Sequence, residues 1–154
     1  MHRYLACALV VLVSCGGPSP GLATSPRDLA RDEAMGGHTL ARHVGRTVEQ
    51  LRERLERERG ISAASTYTDR STAERVVAET LDQAADRVRG WASRRGPRPN
   101  LALHYRSPDG RTIGSSLERG DPRPRPCADA LVVLRWDDQR NTSFVLTSYP
   151  EAAR

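Results

Sequence analysis

The hydrophobic period of the chain changes once, at Gly96-Pro97-Arg98-Pro99, and this change constrains the fold more than any other feature. Before it, apolar residues recur at helical spacing. Val48, Leu51 and Leu55 form one stripe, and Val77, Leu81, Ala84, Val88 and Trp91 form another. After it, apolar residues alternate or run in short blocks: Leu101–Arg106, Thr112–Leu117, Ala130–Trp136 and Ser143–Tyr149. Helices first and strands afterwards predict an α+β domain, with N-terminal helices followed by antiparallel strands.

The punctuation agrees with this order. Gly36-Gly37 break any helix begun at Asp28, and a short helical turn fits around Leu40–Val44. Thr47-Val48-Glu49-Gln50 reads as a capping box opening a helix that Gly60 stops, and Arg52, Glu53, Glu56, Arg57 and Glu58 give it a solvated face. Ser71-Thr72-Ala73-Glu74 reads as a second capping box, opening a helix that runs to Arg94. Ser107-Pro108-Asp109-Gly110 is a turn, residues 118–126 are a proline-bearing loop, and the polar DDQRNT joins the last two strands as a hairpin.

The N-terminus has a different character. A short positive segment (His2, Arg3) precedes an apolar run from Leu5 to Val13, too short to span a bilayer as a helix but the length of a signal-peptide core. It ends at Leu12-Val13-Ser14-Cys15, which resembles a bacterial lipobox. The expected organisation is a lipoprotein signal peptide over residues 1–14, lipid on Cys15, a flexible tether over 15–26 and one folded domain over 27–154. An ordinary signal peptide cut near Ala23 is the alternative. Lipidation would place the protein in the bacterial cell envelope, held to the membrane only through Cys15; without it the chain would be secreted.

Composition excludes several classes. At 154 residues, 38% hydrophobic and 5% aromatic, the chain holds one domain with a modest aliphatic core and lacks the repeated apolar runs of a multi-span membrane protein. Three cysteines rule out a disulfide-dense scaffold, and processing at Cys15 would leave Cys127 as the sole free thiol, better suited to packing than to nucleophilic attack. All 24 basic residues are arginine, which fits either the codon bias of a GC-rich genome or an anion-binding surface. The net charge of +5 is local. Residues 27–93 are neutral, whereas 94–125 hold eight arginines against Asp109, Glu118 and Asp121. That segment reads either as a solvated surface or as an arginine-rich concavity for a polyanion.

Residues able to do chemistry are few. His38 and His43 lie five apart, not the three or four that align metal ligands on a helix, and no acidic or cysteine cluster completes a metal site. Neither a glycine-rich phosphate loop nor a Gly-x-Ser-x-Gly elbow is present, and no cofactor is implied. His38 is expected in a loop.

Three blocks, GGHTLARHVGRTVEQLRERL, ASTYTDRSTAERVVAE and the closing FVLTSYP, resemble the bacterial ribonuclease-A-like domain of contact-dependent growth-inhibition and related polymorphic toxins. The resemblance spans Met35 to Pro150. It implies a ribonuclease-A-like α+β fold without disulfides. It also implies metal-independent RNA cleavage by attack of a ribose 2′-hydroxyl, through a 2′,3′-cyclic phosphate. Carried over by position, the catalytic residues fall on His43, Arg54, Thr147 and Tyr149. A histidine suits a base working near neutrality, and a guanidinium suits charge building on phosphoryl oxygens. Thr147 and Tyr149, at i and i+2, share a sheet face but are poor general acids. Tyr67 has two readings, base stacking or core packing, and His104 is a further candidate for substrate contact. Expected partners are RNA and a cognate immunity protein. The competing expectation is a catalytically silent, lipid-anchored protein that binds through the arginines of 94–125.

Overall fold

The computed structural model describes residues 27–152; the expected signal, Cys15 and tether lie outside the described residues. Five helices, α1 (Leu29–Ala34), α2 (Thr39–His43), α3 (Val48–Arg57), α4 (Arg70–Gln83) and α5 (Ala85–Ala92), alternate early with one strand, β1 (Ala63–Tyr67). The remaining strands follow: β2 (Leu101–Arg106), β3 (Gly114–Glu118), β4 (Arg125–Cys127), β5 (Asp129–Asp137) and β6 (Thr142–Glu151). They form two antiparallel three-stranded sheets, ordered β1-β3-β4 and β2-β5-β6. The fold is α+β, as the change of period predicts, and Cys127 is a buried free thiol.

Two cores hold these layers. The larger packs Val76, Val77 and Trp91 of α4 and α5 against Leu103, Tyr105, Val132, Leu134 and Val145 of the β2-β5-β6 sheet. Leu81, Ala84 and Val88 of the predicted stripe lie at its margin. The smaller core seats Leu51 and Leu55 of α3 on Ala64 and Leu117 of the other sheet. Burying a leucine contributes about 1.5–3 kcal/mol, so this pair anchors α3 on β1 and β3.

Local details depart from the sequence reading. The capping box at Thr47 and Gln50 is present, with each side chain bonded to the other's backbone. The second one is not: Asp69 caps α4 by accepting from the Thr72 amide at 2.7 Å, two residues before Ser71. The helix expected to run to Arg94 breaks at Ala84, one turn after Thr80 Oγ1 donates to the Val76 carbonyl, a back-bond that bends helices. β1 had no counterpart among the predicted strands. Ser107–Gly110 does turn the chain, but it carries the chain from one sheet to the other: β2 pairs with β5, and β3 pairs with β1 and β4. Short β4 closes the loop expected over 118–126. The β5–β6 hairpin forms as predicted.

One irregularity positions the site. Val133 pairs with Thr147 but Leu134 pairs with Val145, so Leu146 is a bulge. The bulge turns Val145 into the core while Thr147 and Tyr149 follow on the opposite, open face.

Candidate active site

The open face of β6 forms one wall of a cleft of about 700 Å³, also lined by His38, His43, Arg54, Ser65, Ser116 and the turn at 60–62. His43, Arg54, Thr147 and Tyr149 therefore meet in one place, although more than ninety residues separate the first pair from the second.

α2 is tied into that wall at both ends. At its start, the His38 amide donates to the Leu146 carbonyl of the bulge (3.0 Å), and Thr39 Oγ1 accepts from the Ser148 amide (2.9 Å). At its end, Val44 bridges Tyr67, the Gly45 amide donates to the Tyr67 carbonyl (3.2 Å), and Thr66 Oγ1 accepts from the Arg46 amide (2.9 Å). Gly37 permits the approach, because a Cβ there would run into the Val145 carbonyl. His38, at the N-cap, and His43, the last residue of this five-residue helix, are thereby fixed against β6 and β1.

His43 is buried, with Nδ1 3.1 Å from the Ser65 carbonyl. A carbonyl only accepts, so Nδ1 carries the proton and Nε2 keeps the free lone pair. The ring stacks on Tyr149, with centroids 5.2 Å apart. Burial, then the Arg54 charge, hold its pKa down at about 3, so the ring is neutral at physiological pH. Arg54 reaches the cleft from α3. Its Nε donates to Glu58 Oε2 (3.3 Å) and one terminal nitrogen to the Arg42 carbonyl (3.5 Å), which fixes the plane of the guanidinium. Thr147 Oγ1 is buried and makes no hydrogen bond, so it can bond a ligand entering the cleft.

Two further sequence candidates fall elsewhere. Tyr67 is wholly buried and its hydroxyl lies 2.6 Å from Ser148 Oγ; it packs in the core and offers no face to a base. His104 shares the open face of the β2-β5-β6 sheet, but Leu131 of β5 stands between it and Tyr149. Two strand spacings, about 10 Å, leave it outside the cleft lining, exposed and 3.7 Å from Glu151. Five of the eight arginines of 94–125 are held by partners within the domain. Arg98 lies over Trp136, Arg106 pairs with Asp129, Arg111 with Asp109 and Arg125 with Asp121, while Arg119 bonds the Glu58 and Ile61 carbonyls.

The family model described as the bacterial CdiA-CT RNase A domain matches residues 37–150. The chain belongs to this family. A chain in the crystal structure of a CdiA-CT/CdiI complex from Y. kristensenii 33638 is similar in fold and sequence. Its TM-score is 0.66 at 28% identity, covering 75% of this chain and 100% of that one. None of the curated proteins matches.

Within this CdiA-CT RNase A domain, sequence reasoning missed two contributors: His38 in the cleft and Ser65 as the partner of His43. Glu58, the support of Arg54, was legible from its i+4 spacing, and the pair forms.

Proposed function

We propose that the domain is a toxin-type ribonuclease that cleaves RNA without a metal, by attack of a ribose 2′-hydroxyl on the adjacent phosphorus to leave a 2′,3′-cyclic phosphate. The observation that carries this reading is the 3.1 Å contact between His43 Nδ1 and the Ser65 carbonyl, which calls for the Nδ1-protonated tautomer. With its Nδ1 proton bonded to Ser65, the ring presents Nε2 as an acceptor in a cleft that also contains Arg54. Nε2 takes the 2′-hydroxyl proton as the oxygen attacks. Arg54 and the unpaired Thr147 hydroxyl donate to the phosphoryl oxygens as charge builds on them. A low pKa makes a weak base, but a bound phosphodiester brings negative charge beside Arg54. That offsets the cation acting on His43 and raises its basicity. Tyr149 stacks on the imidazole and holds its plane.

The test is cleavage of RNA by the purified protein in EDTA, beside His43→Ala. Wild type is expected to cut and to yield cyclic phosphate ends, and the variant to lose at least two orders of magnitude in rate. Uncut RNA, or a variant as active as wild type, overturns the reading.

The solved relative was crystallised as a CdiA-CT/CdiI complex, and on that ground this domain is paired with a cognate inhibitor protein that blocks it in the producing cell. Export and lipidation at Cys15 rest on the lipobox-like sequence, and Cys15→Ser should release the protein from membranes. Unchanged partitioning would remove the anchor.

A further inference from the structure

An in-line displacement at phosphorus places the entering and leaving oxygens on opposite sides, so a base at one cannot also serve as the acid at the other. On the reading of the cleft as a phosphodiester-transfer centre, His43 accounts for one proton. Thr147 and Tyr149 are poor donors of the other, because hydroxyls of these types hold their protons far above neutral pH.

The cleft holds a second imidazole. His38 lines it beside His43, with ring centroids 6.4 Å apart and planes tilted by 39°. His38 occupies the N-cap position of α2, yet its side chain makes no capping hydrogen bond, so the local helix does not account for the ring. Its backbone, by contrast, is fixed by the bond to Leu146. We propose that His38 is the general acid of this site, protonating the leaving 5′-oxygen while His43 accepts the 2′-hydroxyl proton.

The step balances. The bond from the 2′-oxygen to phosphorus forms, the bond from phosphorus to the 5′-oxygen breaks, one proton enters at His43 and one leaves from His38. Hydrolysis of the cyclic phosphate runs the roles in reverse: His38 takes a proton from water and His43 returns one to the 2′-oxygen.

The electrostatics divide the two rings in the same sense. Burial, Arg42 and Arg54 lower the pKa of half-buried His38, while Glu33 of α1, which also accepts from the Ala41 amide, raises it. The β6 wall adds uncharged Thr147 and Tyr149, and Glu151. His43, deeper and closer to Arg54 in effect, is depressed much further. Two titrating groups pushed apart in this way sort into a base that stays neutral and an acid that can carry a proton. The phosphate of the substrate favours the protonated form of His38 still more.

The experiment compares wild type, His38→Ala and His38→Asn on two substrates: RNA, and a uridine 3′-phosphate ester of 4-nitrophenol, whose leaving group departs without protonation. Asparagine is a strong N-cap residue, so α2 keeps its start in that variant. Both variants are expected to lose about 10²–10⁴-fold in kcat/KM on RNA. They should lose less than about threefold on the activated ester, and the fall in RNA cleavage on the alkaline side of the wild-type pH profile should disappear. RNA cleavage unchanged by both substitutions, or equal losses on the two substrates, overturns the assignment while leaving the ribonuclease reading intact. A wild type that leaves RNA uncut removes both.

Discussion

At the scale of single residues, the protein keeps a histidine neutral in a place that would normally be reserved for apolar groups. His43 gives up solvation and gains one bond to Ser65 and a stack on Tyr149. The cost is pH-dependent. In the unfolded chain this histidine takes up a proton near its ordinary value of 6.5, but in the folded chain only at about 3. Between those values the unfolded state binds the extra proton, so this residue's contribution to stability is intact above pH 6.5 and is lost as pH falls towards 3. The expected slope is up to about 1.4 kcal/mol per pH unit. His43→Gln, which cannot titrate, should lack it. Urea unfolding of both proteins from pH 7 to pH 4 would measure the difference, and parallel stability curves would contradict a buried neutral imidazole. His43 was reachable from sequence because its neighbours in GGHTLARHVG match a family pattern. His38 lies in the same block and was passed over, since a test for ligands on one helix face asks about spacings of three and four. Its ring comes beside that of His43 only because it stands at the helix start, where the chain turns.

At the scale of elements, α2 and the β6 bulge depend on each other. The bulge leaves backbone groups unpaired within the sheet, and the N-terminal elements satisfy them: buried Asp32 of α1 accepts from the Val145 amide (3.0 Å), and the His38 amide donates to the Leu146 carbonyl. This contact needs Gly37, whose missing Cβ is where the Val145 carbonyl lies. Gly37→Ala is expected to destabilise the fold by about 1–3 kcal/mol, the usual range for overpacking, and to lower RNA cleavage as well, because α2 carries His43. Denaturant unfolding together with RNA cleavage checks it, and an unchanged midpoint would show the contact to be dispensable. None of this was legible beforehand. The periodicity revealed the strand that became β6, but a one-residue bulge leaves no mark in an apolar run such as FVL. β1 escaped for a related reason. Its AASTY is buried on both sides, by α3 on one and by the main core through Tyr67 on the other, so the alternation that marks a half-exposed strand is absent. The stripes on α3, α4 and α5 were legible because a single face of each is buried.

At the scale of the whole molecule, the cleft exists because two small sheets meet along β6, which contacts both β1 and β3. The sequence foretold helices before strands, but not which strand pairs with which, because a strong turn signal such as SPDG says that the chain reverses without saying what it will lie against. The backbones approach closely in this junction at Gly114. A Cβ there would overlap the Thr66 carbonyl and stand 2.7 Å from Cγ of Pro150, next to Tyr149. Both obstacles belong to elements that line the cleft, and neither is the free end of a flexible side chain. Gly114→Ala should therefore force β1, β3 and β6 apart, lowering stability by about 1–3 kcal/mol and RNA cleavage with it. Gly90 provides the matched comparison. It lies exposed in α5 with open space where its Cβ would be, and the same substitution there should raise stability by about 0.5–1 kcal/mol, since alanine is the better helix former. Opposite signs for the two variants in one unfolding series would place the effect at the sheet junction. Equal shifts would mean that the cleft does not depend on the packing of Pro150 over Gly114.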